Sequence, residues 1–197
     1  MNIKNLKMYK GMLIIVDMVN GFAKEGALAD PKIAEKVPRQ IELIKEAKIR
    51  GDLIVFIKDT HDENSIEHKR FGEKDNHCNR NSGEELVIDE LKEYEYNKDT
   101  LSIEKNSTSF MEAPKFRELI TEATNLESVD VVGCCTDICV TNGTMGLANY
   151  FDQWNRDVEI RVHEDAIATF AEDDRQNYVE AAKLLMTQQG IQLVKKR

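Results

Sequence analysis

Several side chains able to do chemistry stand directly after apolar runs. Asp17 follows Met12–Val16, Asp59 and His61 follow Leu53–Ile57, Lys105 follows the short run Leu101–Glu104, and Cys139 lies just past Val129–Gly133. A carboxylate, an ammonium and a thiol brought together make a nucleophilic site. The thiolate attacks, the lysine holds its charge, and the aspartate carries a proton between thiol, leaving group and water. Cys139 sits in Gly133-Cys-Cys-Thr-Asp-Ile-Cys139-Val140, which reads as a strand-to-helix transition. A thiol there feels the positive end of the helix dipole, and a nearby ammonium lowers its pKa further. Plain readings stand beside these. A free cysteine is a small buried hydrophobe, an aspartate after a strand caps a turn, and a lysine is a solvated charge. Cys134 and Cys135 take the plain reading, and Cys139 stands evenly between the two. The C-C-x-x-x-C spacing is not that of a zinc ribbon, and such crowding suits no long-range disulfide.

Asp59-Thr60-His61 places a carboxylate and an imidazole on one side of an extended segment. Glu67, His68 and His77 follow in a polar stretch. Asp, Glu and His together suit Zn, Fe or Mn, whereas histidines in a polar loop are otherwise simply solvated. The stretch from Asp62 to Asn81 is long for a strand-to-helix connection, which marks it as a functional loop. His163 has no partner legible in the sequence and reads as structural.

The elements that must position these groups alternate. Strands are expected at Met12–Val16, Leu53–Ile57, Val129–Gly133, Val158–Val162 and Ile191–Val194, with a weaker one at Leu101–Glu104. Continuous apolar runs are what strands covered on both faces look like. Asp30-Pro31 opens one helix, Pro38 restarts it, and Ile41, Ile44 and Ala47 keep one face apolar until Gly51. Val140, Leu147, Ala148 and Phe151 mark a second helix. Tyr178, Ala181, Ala182 and Leu185 mark a third, stopped by Gly190. Strand and helix in alternation predict a parallel sheet with helices on both faces, whose ligands bind beyond the carboxyl ends of the strands.

The chain has 197 residues, enough to bury a core without staples, and reads as one domain over residues 1–197 with a long functional loop at 60–83. Lys plus Arg is 27 against 36 for Asp plus Glu, a net charge of −9, the wrong sign for a partner held by nucleic-acid phosphates. No apolar run approaches the ~20 residues a membrane span needs, and the first residues lack a signal-peptide core. No membrane partner is expected, and the expected location is cytoplasmic.

Val16-Asp17-Met18, Asp59-Thr-His61, Lys105 and Gly133-Cys-Cys-Thr-Asp-Ile-Cys139-Val together resemble the isochorismatase-like cysteine hydrolases, and within them the nicotinamidase (pyrazinamidase) branch. The motifs run from residue 16 to about 140. The resemblance implies a three-layer α/β/α sandwich on a mostly parallel sheet of about six strands. It implies a catalytic triad of Asp17, Lys105 and Cys139, a cis peptide between Cys134 and Cys135, and an oxyanion hole from the amides of Cys135 and Cys139. It further implies one divalent ion, zinc with iron or manganese as alternatives, on Asp59, His61, Glu67 and His77. Relatives read Phe-Pro-Pro-His where this chain reads Phe71-Gly-Glu-Lys-Asp-Asn-His77, so His68 and Glu73 stand as alternative ligands. The expected activity is hydrolysis of nicotinamide to nicotinate and ammonia through a thioester, within NAD salvage, with Phe22 and Phe71 stacking on the ring. Another small amide or ureido compound is the alternative substrate, and a homo-oligomer is expected. A metal-binding protein without turnover has no need of all three triad residues. A redox sensor built on Cys134, Cys135 and Cys139 would form a reversible disulfide.

Overall fold

Apolar runs buried from both sides need strands alongside and helices above and below. The computed structural model describes residues 5–72, 76–171 and 175–196. Its strands are β1 (Gly11–Val16), β2 (Leu53–Asp59), β3 (Thr100–Lys105), β4 (Ser128–Cys134), β5 (Glu159–Ala168) and β6 (Gln192–Val194). They form one six-stranded sheet in the order β3-β2-β1-β4-β5-β6, every pair parallel. The expected strands are all present. β5 runs on past Val162 because, after a register shift, Ile167 and Ala168 pair with Gly133 and Cys134. The polar residues His163, Glu164 and Asp165 hide that extension in the sequence.

The helices are α1 (Asn20–Ala23), α2 (Pro31–Ala34), α3 (Val37–Arg50), α4 (Ile66–Phe71), α5 (Asp89–Glu95), α6 (Pro114–Glu122), α7 (Thr141–Gln153) and α8 (Arg175–Gln188). Strand side chains alternate between two cores. Met12, Ile14, Val16, Val129 and Val131 pack with Phe116 and Leu119 of α6, Leu147 and Phe151 of α7 and Met186 of α8. Leu13, Ile15, Ile54, Phe56 and Val132 pack with Ile33 of α2, Leu43, Ile44 and Ala47 of α3, and Leu91 of α5. Asp30 caps α2 by accepting the Lys32 N–H, Pro38 lies in the first turn of α3, and Gly51 ends α3 in the left-handed conformation. The expected apolar face of α8 holds at Ala182 and is corrected at Tyr178, Ala181 and Leu185. Ala182 and Met186 are buried, whereas Tyr178 and Leu185 face outward at 56% and 48% exposure. No helix among the described residues is long and apolar enough to cross a membrane.

The strand order reverses between β1 and β4, and such a switch point opens a crevice at the carboxyl ends of the strands. Gly133 makes the approach there possible. Its φ is +116°, and a Cβ on it would lie 2.1 Å from the Val16 carbonyl oxygen. Only glycine fits.

Candidate active site

Each candidate group arrives in the crevice on its own strand. Asp17 follows β1 with φ +51°, a left-handed conformation that aspartate tolerates, and its amide donates to the Ile57 carbonyl at 2.9 Å. Lys105 is the last residue of β3 and Asp59 the last of β2, paired in register. After β4 the Cys134–Cys135 peptide is cis, as the resemblance implies. A π-helical turn, Thr136–Val140, then leads into α7 and carries Cys139.

Asp17, Asp59, Lys105 and Cys139 are all buried. Lys105 Nζ lies 2.9 Å from Asp17 Oδ2, 2.6 Å from Asp59 Oδ1 and 3.6 Å from Cys139 Sγ. Burial alone would discharge the lysine, but Asp17 and Asp59 hold its pKa well above the ordinary value. Burial pushes the Asp17 carboxyl up to about 6, with Asp59 adding to the rise and Lys105 opposing it. The expectation of a lowered thiol pKa is corrected. Burial, reinforced by Asp17 and Asp59, pushes the Cys139 thiol well up against the pull of Lys105. These surroundings favour the neutral thiol over the thiolate, so a nucleophilic role for Cys139 would call for a base.

The second group of donors converges on the other oxygen of Asp59. Oδ2 lies 2.9 Å from His61 Nε2 and 3.1 Å from His77 Nε2, and Glu67 Oε1 lies 3.7 Å from His61 Nε2. One ligand atom from each of Asp59, His61, Glu67 and His77 falls within 4.8 Å of all the others, and His61, His68 and His77 form a second such set. Two imidazoles and two carboxylates, largely buried, match the donor chemistry of zinc, iron or manganese, so these residues fit a divalent ion. His68 turns its Nε2 to the His77 carbonyl at 3.0 Å, which occupies that nitrogen. Glu73 lies outside the described residues. His61 Nδ1 lies 2.8 Å from Asn106 Oδ1 and 3.0 Å from Ser65 Oγ, partners that hold the ring with Nε2 facing the donors. Asn106 went unnoticed in the sequence, although it directly follows Lys105 at a strand end. So did the double duty of Asp59, which touches both the lysine and the histidines.

Cys135, Cys139, Asp59, Glu67 and His77 line a cavity of about 360 Å³ whose walls include Phe22, Leu28, Phe71 and Ile138. Phe22 is buried and stands 5.3 Å from the His77 ring, whereas Phe71 is 52% exposed. Opposite Phe22, at 6.1 Å between centroids, is Phe170, a wall residue missed in the sequence although it follows β5 as the other candidates follow their strands. His163 has a structural partner, Asp130 at 2.8 Å. Among the described residues all four cysteines are free thiols.

A carboxylate, a fixed cation and a thiol meeting where the strand order of a parallel sheet reverses suit a cysteine amidohydrolase, and likeness to known proteins puts the enzyme in that class. The chain belongs to the isochorismatase family: the isochorismatase domain model matches residues 11–193. PncA of Bacillus subtilis, an isochorismatase family protein, is 26% identical over 170 residues, which cover 83% of this chain and 89% of the relative. The crystal structure of nicotinamidase PncA from that organism matches with a TM-score of 0.72 at 25% identity, over 94% of this chain and 99% of the other. The pyrazinamidase of Pyrococcus horikoshii, solved in complex with zinc, matches with a TM-score of 0.71 at 27% identity, over 95% and 99%. N-carbamoylsarcosine amidase from Thermoplasma acidophilum matches with a TM-score of 0.72 at 25% identity, over 94% and 96%.

Proposed function

We propose that this enzyme hydrolyses nicotinamide to nicotinate and ammonia. The observation that carries the reading is the convergence of Asp59, His61, Glu67 and His77, three of which (Asp59, Glu67 and His77) line the cavity that also holds Cys139, beside a wall of aromatic rings. That donor set is what the resemblance gives to nicotinamidases and denies to isochorismatases proper. A divalent ion on those four residues would supply Lewis acidity at one end of the cavity, and zinc, named with the Pyrococcus structure, is the proposed ion.

In the proposed mechanism Asp17 takes the Cys139 proton and the sulfur attacks the amide carbon. Lys105, fixed between Asp17 and Asp59, steadies the negative charge as the proton moves. Backbone amides of Cys135 and Cys139 hold the oxyanion. The C–N bond breaks as Asp17 returns the proton to the leaving nitrogen, so ammonia departs and a thioester remains. Asp17 then takes a proton from water, whose oxygen replaces sulfur at the carbonyl carbon, and the acid and the thiol are restored. Phe22, in the cavity wall, would pack on the substrate ring, and the 60–83 connection contributes Glu67 and His77 to the site.

The test is ammonia release from a panel holding nicotinamide, pyrazinamide, an aliphatic amide and an N-carbamoyl amino acid, with metal content measured on the same sample. The reading expects the pyridine and pyrazine amides to lead, stoichiometric metal, and loss of activity on chelation. Turnover confined to the ureido compound would favour the second reading, which rests on the likeness to N-carbamoylsarcosine amidase. Active protein without metal would overturn the assignment.

A further inference from the structure

We infer that Asp137 is a positioning residue for the aromatic wall of the cavity, and that through it the site prefers flat aromatic amides to aliphatic ones. The inference rests on the amidase reading above. Asp137 belongs to the turn that carries Cys139, and its side chain, 3% exposed, is held in a clamp. Oδ1 accepts the Thr169 hydroxyl at 2.5 Å and Oδ2 accepts Arg175 Nη1 at 2.9 Å. Both partners flank Phe170. Thr169 directly precedes it, and the Arg175 guanidinium lies 5.5 Å from its ring centroid. A second tie comes from Asp30, whose Oδ2 accepts the Ala171 N–H at 2.7 Å while Oδ1 caps α2.

From Phe170 the contacts run inward. Phe170 meets Phe22 with ring planes tilted at 54°, and Phe22 meets His77 at 48°. A buried carboxylate is costly to desolvate, and this one is held by a hydroxyl and a guanidinium that both belong to the wall segment. The nucleophile turn and the wall are thus tied by one side chain. A flat ring gains from a wall at fixed distance and tilt, because offset and edge-to-face contacts are sensitive to both. A short aliphatic amide packs against a loosened wall nearly as well.

The test compares Asp137→Asn, which keeps shape but loses charge, with Thr169→Val, which loses only the hydroxyl. For an aromatic amide we expect KM to rise about tenfold in each while kcat stays within about threefold, and the KM for an aliphatic amide to move far less. The double variant should cost less than the product of the single effects, because both act through one clamp. A fall in kcat without a KM change, or equal KM changes for both substrates, would overturn the inference. A readout free of turnover is alkylation of Cys139 by an aryl and an alkyl haloacetamide. The aryl preference of the parent protein should drop about tenfold in both variants, and an unchanged ratio would overturn the inference even if no amide were cleaved. Parent protein that cleaves no aromatic amide would sink the amidase reading instead.

Discussion

In the proposed mechanism a thiol that rests protonated needs its base ionised before it can attack, so the pH profile is expected to follow Asp17. Its carboxyl is pushed up to about 6, chiefly by burial, and it serves as a base only when deprotonated. The rate kcat/KM should therefore hold above pH 6 and fall as pH drops through that value. Lys105 is the charge that keeps this pKa from rising further. Lys105→Met should move the acid limb to higher pH and lower kcat, whereas the exposed Lys98→Met should change neither. Cys139→Ala should lose roughly a thousandfold or more of the rate and retain the parent thermal unfolding curve. Profiles measured from pH 5 to 9 check all three. A limb unmoved in Lys105→Met would remove the lysine from the triad.

Among elements, strand ends and connections do unequal work. Asp59 and His61 stand at the end of β2, where the sheet itself fixes them, while Glu67 rides on α4 and His77 follows it. His61→Ala should abolish stoichiometric metal binding, and Asn106→Ala should weaken it about ten- to hundredfold by freeing the His61 ring. Titration of metal-stripped protein by calorimetry reads both. This contrast also explains what was legible. Asp17 and Asp59 could be read because each closes an apolar run that had to be a buried strand, whereas Lys105 ends a mixed run and Cys139 stands in the turn after its strand, so those two were legible through the motif they complete. Phe170 and Asn106 also follow strands, but β5 ends in a mixed run and Asn106 is an ordinary polar residue until the ring it holds is in view. α4 and α5 have six and seven residues, too short for a helical period to declare itself. Tyr178 and Leu185 carried the right spacing, yet of the expected face only Ala182 is buried, and Met186 packs beside it.

At the scale of the whole molecule, a polar knot outside the site ties β4, β5 and α3 together. Asp130, 5% exposed at its side chain, accepts Arg161 at 2.8 and 2.9 Å, His163 at 2.8 Å and Arg50 at 3.2 Å. Burial would raise its pKa, but hydrogen bonds from His163 and Arg161 bring it down to about 2. A carboxyl lowered on folding stabilises the protein above its unfolded pKa of about 4, and that contribution fades as pH falls through the folded value. Asp130→Asn should thus cost about 2 kcal/mol at pH 7, with the gap from the parent closing between about pH 4 and 2 in urea unfolding. A pH-independent gap would mean that packing, not charge, accounts for it.

The seam between β1 and β4 divides the chemistry as well as the sheet. The chain up to Asn106 carries the aspartate, the lysine and all four proposed metal donors; the chain from Ser128 onward carries the thiol and the Phe170 wall. Neither stretch holds a reaction by itself. The enzyme is in effect a heterodimer whose two subunits happen to share one backbone, with β3-β2-β1 as one partner and β4-β5-β6 as the other. A nick in the connection between them would turn an intramolecular contact into a concentration-dependent one, and catalysis would then titrate like an association, each turnover reporting that Gly133 has found Val16.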